Sequence, residues 1–209
     1  MPNICYAFDF DFTLSHFPNG IQSLLSIAYG TGIPRETVDR IYNEVVDSSE
    51  GFSHITFSTA LAHADPTIDA KKLADEICAW LAADSIAPYT ESRETFDRFL
   101  TQGFATAIIT AGNPEWQNKK LEMLAFPQPA ERIFITSPTE GKAPAIKKLF
   151  DQGFDFIHYT DDRPGELDRI RDVYGPDRVA TYWIVRDDSP YKSAGARHQH
   201  KIITSLTEV

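Results

Sequence analysis

Cysteine is scarce: Cys5 and Cys78 are the only two in 209 residues. Two thiols are too few for a disulfide scaffold, so both are expected as small buried hydrophobes in a reducing compartment, the cytoplasm. Basic residues are in the minority, 20 against 30 acidic ones for a formal charge of −10. That balance repels nucleic-acid backbones and anionic lipid surfaces, and no local basic patch offsets it. No window reaches the roughly 18 apolar residues of a membrane span. The first basic side chain is Arg35, and Asp9 and Asp11 interrupt the apolar start, which argues against a secretory leader. A soluble protein without nucleic-acid or membrane partners is the expectation.

What is present suits a single globular domain, or one carrying a modest insertion. Hydrophobic side chains make up 42% and charged ones 24%, while 11 Gly and 13 Pro are near ordinary usage, excluding disorder and collagen-like repetition. With 14 Phe, 8 Tyr and 3 Trp, a chain of this length can bury a core without covalent staples.

Ile4-Cys5-Tyr6-Ala7-Phe8 is apolar and too short for a helix, the pattern of a strand buried on both faces of a sheet. Runs at 104–110, 133–136, 154–159 and 179–185 have the same character. Helical patterns separate these later runs. Asn113-Pro114 offers an N-cap and a first-position proline, Pro144 to Phe150 precedes Gly153, and Pro164 to Tyr174 precedes Gly175. The alternation predicts an α/β fold, a doubly wound and mainly parallel sheet. Between His16 and Pro88 the rhythm breaks. Val38, Ile41, Tyr42 and Val45, and later Leu73, Ile77, Trp80 and Leu81, repeat at helical spacing, predicting an inserted helical module. The division is therefore 1–15 and 89–209 as the α/β core and 16–88 as the insertion. The polar stretch 187–201 is expected as a loop, partly mobile.

In an open parallel sheet, ligands bind beyond the carboxyl ends of the strands, so the residues that follow each strand should converge. They are Asp9-Phe10-Asp11-Phe12-Thr13, then Thr110-Ala111-Gly112-Asn113, then Thr160-Asp161-Asp162. Carboxylates gathered at one edge repel one another, and hard oxygen ligands of this kind suit Mg²⁺. Because Mg²⁺ takes few protein carboxylates and prefers phosphate oxygens as further ligands, a phosphate ester is the natural guest. Lys142, at the start of a predicted helix, supplies a cation to the same edge, and Thr110 a hydroxyl and a backbone N–H. An aspartate beside metal and phosphorus can attack in line and form an aspartyl phosphate.

These residues, in this order, resemble the four motifs of the haloacid dehalogenase-like superfamily, most of whose members are Mg²⁺-dependent phosphatases. The first motif is matched by Asp9 to Thr13, the second by Thr110, the third by Lys142 and the fourth by Asp161-Asp162. The resemblance implies Asp9 as nucleophile and Asp11 as general acid and base. It implies Thr110, Ala111 and Lys142 as phosphate ligands, and Asp9, Asp11 (through its carbonyl), Asp161 and Asp162 around the metal. Dehalogenases of the superfamily lack the second aspartate, so Asp11 points to phosphate chemistry on a small soluble ester. The insertion resembles the family's first-position cap, which closes over small substrates. Phe12 stands where many relatives have Gly, Ala111-Gly112-Asn113 where Asn-Gly is more frequent, and Thr160 where Gly often stands. None of these changes removes a catalytic group.

Each residue also has a plainer reading. Asp-x-Asp arises readily in an acidic chain, Thr110 suits a strand end, Lys142 an exposed helix start, and Asp161-Asp162 a helix N-cap before Pro164. Order and topology carry the case. His16 and His54 read as surface or packing residues, His158 as a sheet residue, and His198 and His200 as tail residues with affinity for stray metal. A signalling receiver is disfavoured, because its acidic pair would come first and its phosphate-accepting Asp later. A phosphomutase or phosphotransferase, and a non-catalytic phosphate-binding regulator, remain as alternatives.

Overall fold

The structure, a computed structural model, describes residues 2–83, 85–127 and 129–209. In chain order the elements are β1 (Ile4–Phe8), β2 (Ser15–His16), α1 (Ile21–Tyr29), α2 (Arg35–Val46), α3 (His54–Ala64), α4 (Ala70–Ala82) and β3 (Ala87–Pro88). There follow α5 (Ser92–Thr101), β4 (Ala105–Ala111), α6 (Pro114–Leu124), β5 (Ile133–Thr136), α7 (Ala143–Asp151), β6 (Phe156–Asp161), α8 (Pro164–Tyr174), β7 (Val179–Ile184) and β8 (Lys201–Ile203). Six strands form one sheet in the order β5-β4-β1-β6-β7-β8, parallel at every pairing. The expected doubly wound α/β architecture is thus present. β1 has β4 on one side and β6 on the other, so the strand order reverses there and opens a crevice at its carboxyl end.

The period of two along β1 explains the layers. Phe8 belongs to a core that includes Phe96 and Phe99 of α5 and Trp116, Leu121 and Leu124 of α6. Cys5 and Ala7 belong to a second core with Ile146 and Leu149 of α7 and Leu167 and Ile170 of α8. Both faces are covered, as the apolar runs require. Helices α1 to α4 occupy the 21–82 stretch, joined to the sheet by a short antiparallel ladder in which Ser15 pairs with Pro88 and His16 with Ala87. Local chemistry sets their starts. Ser53 and Thr56 form a reciprocal capping box before α3, and the Asp69 carboxylate accepts from Lys72 N at 3.0 Å before α4.

Three expectations need correction. β6 starts at Phe156 rather than Phe154, because Asp155 is spent on Asn3: its carboxylate accepts from Asn3 N at 2.8 Å and its own N–H donates to Asn3 O at 2.8 Å. The 187–201 stretch is a loop up to Lys201, as expected, but not a loose one. It is fastened to α8, where Asp168 accepts from the backbone N–H of Arg197 and His198, and it ends in β8, a sixth strand too short to show periodicity. Cys78 is only half-buried, whereas Cys5 is fully buried. No helix among the described residues is long and apolar enough to cross a membrane.

Candidate active site

The carboxyl end of β1 delivers the first two acids. Asp9 N–H donates to Thr160 O at 2.9 Å, extending the β1–β6 ladder by one residue and seating the Asp9 side chain between the two strand ends. The chain then turns sharply, with Leu14 N and Ser15 N both donating to Phe10 O. Phe12 takes a left-handed conformation, φ 57°, a strained choice for a residue with a Cβ. The Phe12 position is thus where a glycine would cost least.

Lys142, immediately before α7, is the hub of the site. It is 2% exposed, and its Nζ donates to Asp9 Oδ1 at 2.5 Å and to Asp161 Oδ2 at 2.7 Å. Its backbone N–H donates to Glu166 Oε2 at 3.2 Å, so the Glu166 carboxylate holds the approach to α7. Asp161 ends β6 behind the cavity wall, where it also accepts from Tyr159 Oη and, at 2.8 Å, from Arg163 N. The Asp162 carboxylate accepts from Ser189 Oγ at 2.5 Å. The helix-cap reading of Asp161-Asp162 gives way here, since α8 has no side-chain cap of its own and both acids are buried.

One carboxylate oxygen from each of Asp9, Asp161 and Asp162 lies within 4.8 Å of the others. Burial pushes the Asp9 carboxyl up to about 7, against the pull of Lys142 and with Asp161 adding to the rise. Asp162 is driven well above the carboxylate range by burial, then by Asp9 and Asp161. Lys142 is raised in turn, because Asp161 and Asp9 outweigh the burial that opposes its charge. Three acids share one ammonium, a deficit of positive charge in a buried place. Hard oxygen donors so arranged fit a divalent cation such as Mg²⁺. The Asp11 carboxylate lies outside this trio.

Asp11 is held from the other side. Lys120 Nζ donates to Asp11 Oδ1 at 2.7 Å and Oδ2 at 2.5 Å, and Gln117 Nε2 donates to Oδ2 at 3.2 Å and to Ala111 O at 2.9 Å. Lys120 is 2% exposed, its Nζ lying 5.7 Å from the centre of the Phe10 ring and 5.9 Å from that of Phe17. Nothing in the motif order reveals Lys120 or Gln117. The sign that could have done so is their place on α6: residues 117, 120, 121 and 124 share one helix face, and a Gln and a Lys in an otherwise apolar stripe need buried partners. Ser189 and Tyr191 come from the 187–201 stretch, whose composition gives no such sign.

Asp9, Asp11, Thr110, Ala111, Lys142 and Asp162 all line one cavity of about 590 Å³. Thr110 is buried at the end of β4. Gly112 follows with φ 148°, and a Cβ there would come within 2.7 Å of Gln117 Nε2, so a side chain at this turn would displace the amide that Gln117 offers to Ala111 O and Asp11. The 21–82 helices approach from above, where a Cβ on Gly51, φ 70°, would lie 2.8 Å from Asn113 N. None of His16, His54, His158, His198 and His200 lines this cavity. His54 packs on Trp116, His158 stacks on Tyr6 with 4.5 Å between ring centres, and His200 is buried between Asp168 and Thr181. His16 lies 3.6 Å from Asp188, and His198 binds Asp172 at 2.6 Å.

No family model and no curated protein sequence matches the chain. Solved structures do. A haloacid dehalogenase-like hydrolase from Burkholderia xenovorans LB400 superposes with a TM-score of 0.78 at 14% identity, over 100% of this chain and 97% of the other. A dehalogenase with an intermediate complex gives 0.64 at 16% identity, over 100% and 96%. A haloacid dehalogenase family hydrolase from Deinococcus radiodurans R1, with bound phosphate and sodium, gives 0.59 at 16% identity, over 99% and 93%. At these identities the likeness establishes the fold.

Proposed function

Because the chain has the haloacid dehalogenase-like fold, we propose that it is a Mg²⁺-dependent hydrolase of small phosphate monoesters, working through a phosphoryl group carried on Asp9. The observation that carries this reading is the meeting of Asp9, Asp161 and Asp162, all buried, at one cavity that Asp11 also lines. Asp9, Asp161 and Asp162 would hold the cation, with the Asp11 carbonyl as a further oxygen. When bound, such a cation polarises the phosphoryl oxygens and neutralises charge at the transferring group.

Asp9 attacks phosphorus through a carboxylate oxygen, and the phosphorus–oxygen bond to the leaving group breaks as Asp11 gives that oxygen a proton. Asp11 then takes a proton from the water that attacks phosphorus, which frees Asp9 and releases inorganic phosphate. Lys142 stabilises charge on the transferring group, with Thr110 and Ala111 as further phosphate contacts. Lys120 and Gln117 hold the Asp11 carboxylate facing the cavity. Residues 16–88 act as a cap over the core formed by 1–15 and 89–209, since α1 and α2 supply part of the cavity wall and exclude bulky substrates and water. The acidic charge balance supports a small-molecule partner, and the two free cysteines support a reducing, cytoplasmic location.

The test measures phosphate release from a panel of phosphomonoesters with and without Mg²⁺, and halide release from chloroacetate. Mg²⁺-dependent phosphate release that disappears in Asp9→Asn is expected. Halide release without phosphate release would overturn the reading.

A further inference from the structure

We infer that the cavity selects monoesters whose leaving group has an aromatic, uncharged body, and turns away those that carry a second anion. The inference rests on the phosphatase reading and concerns the part of the same cavity beyond Asp9. Beside Tyr191, which lies under Arg163, five aromatic rings line it: Phe12, Phe17, Tyr42, Phe52 and Trp116. They are packed against one another, Phe52 on Trp116 at 5.4 Å and on Tyr42 at 5.5 Å, and Phe12 on Phe17 at 6.0 Å between ring centres, so the wall is preformed. A volume of about 590 Å³ lies in the range of small-ligand sites, which runs about 300–1,000 Å³, and leaves room for a ring beside a phosphoryl group.

Charge discriminates as well. The lining holds five carboxylates, on Asp9, Asp11, Asp47, Asp162 and Asp188, against three cations, on Lys120, Lys142 and Arg163. Both lysines are already committed, Lys142 to Asp9 and Asp161 and Lys120 to Asp11. The Arg163 guanidinium lies over the Tyr191 ring, 4.7 Å from its centre, in the field of Asp161, Glu166 and Asp9. A carboxylate or second phosphate on the leaving group finds no unspent cation, and at the rim it meets Asp47 and Asp188. An aromatic body loses little water and gains a wall of rings.

The experiment compares three esters with alkoxide leaving groups under Mg²⁺: benzyl phosphate, glycerol phosphate and phosphoglycolate. It adds calorimetric binding of benzylphosphonate and phosphonoacetate, which do not turn over. Benzyl phosphate should exceed phosphoglycolate in kcat/KM by on the order of 10- to 100-fold, and benzylphosphonate should bind more tightly than phosphonoacetate by a similar factor. Val46→Arg, which puts a cation on the cavity wall in the last turn of α2, should shrink the ratio by about tenfold. Equal or reversed preference in turnover or binding overturns the inference and leaves the phosphatase reading intact. No turnover of any ester, with benzylphosphonate still preferred, overturns the phosphatase reading and supports the selective cavity. No turnover and no phosphonate binding overturns both.

Discussion

Replacing Lys142 by Met removes the charge that the buried acids share while keeping most of the side-chain volume. In the wild type the ammonium satisfies Asp9 Oδ1 at 2.5 Å and Asp161 Oδ2 at 2.7 Å, with all three side chains at most 6% exposed. The variant leaves those carboxylates facing one another and Asp162 with no cation between them. Breaking a buried pair from one side costs about 3–5 kcal/mol, which in a chain of this size lowers Tm by roughly 6–20 °C. Urea unfolding of both proteins in chelator measures the loss. Added Mg²⁺ should recover more stability in the variant than in the wild type, because the cation replaces the missing charge instead of competing with it. Turnover should fall by about 10² to 10³. A stability loss below about 1 kcal/mol, together with an equal response to Mg²⁺ in both proteins, would mean that the ammonium is not what holds these acids together.

Phe12→Gly releases the left-handed strain at φ 57°, worth about 1 kcal/mol, but removes a ring from the cavity wall. Thermal unfolding should show no large loss while KM for benzyl phosphate rises, and an unchanged KM would refute the placement. Lys120→Met frees Asp11 from its bidentate partner; kcat should drop by about tenfold with KM little changed, and a variant of full kcat would reduce Lys120 to packing. Acid should weaken the fold through His54, His158 and His200, each lowered by burial first, with Lys201 adding to the effect at His158 and Asp168 opposing it at His200. Their folded values lie below the unfolded value of about 6.5, so the unfolded chain binds more protons as pH falls. Their contribution is complete above about pH 6.5 and is lost as pH drops through the lower folded values. Urea midpoints should decline over that window and decline less in His158→Gln, whereas a flat profile would contradict the burial argument.

The strands that carry the motifs were legible because a strand buried on both faces must be a short, continuous apolar run. That fixes where each run ends, and so where Asp9, Thr110 and Asp161 emerge. The 16–88 insertion was legible as helical from its spacing, but not the approach of Gly51 to Asn113, which depends on how two separate elements meet. Lys120 and Ser189 illustrate the rest. Each gains its meaning from a partner more than 20 residues away, Asp11 for one and Asp162 for the other, and periodicity carries no information about such contacts. Asp11 was legible as a second acid beside Asp9, while its clasp by Lys120 and Gln117 follows only once α6 is laid across the end of β4.

In the proposed mechanism Asp9 receives a phosphoryl group and water then attacks phosphorus. A single turnover of benzyl phosphate in heavy-oxygen water, quenched in acid and read by peptide mass spectrometry, tests both steps. A transient phosphoryl group is expected on the peptide containing Asp9, with the heavy oxygen ending in the released phosphate and none in the Asp9 carboxylate. Heavy oxygen in Asp9 would place the attack of water on the carboxyl carbon, as in a carbon ester intermediate. That result, or a phosphoryl group found on any other residue, would rule out Asp9 as the carrier of a phosphoryl group that water attacks at phosphorus.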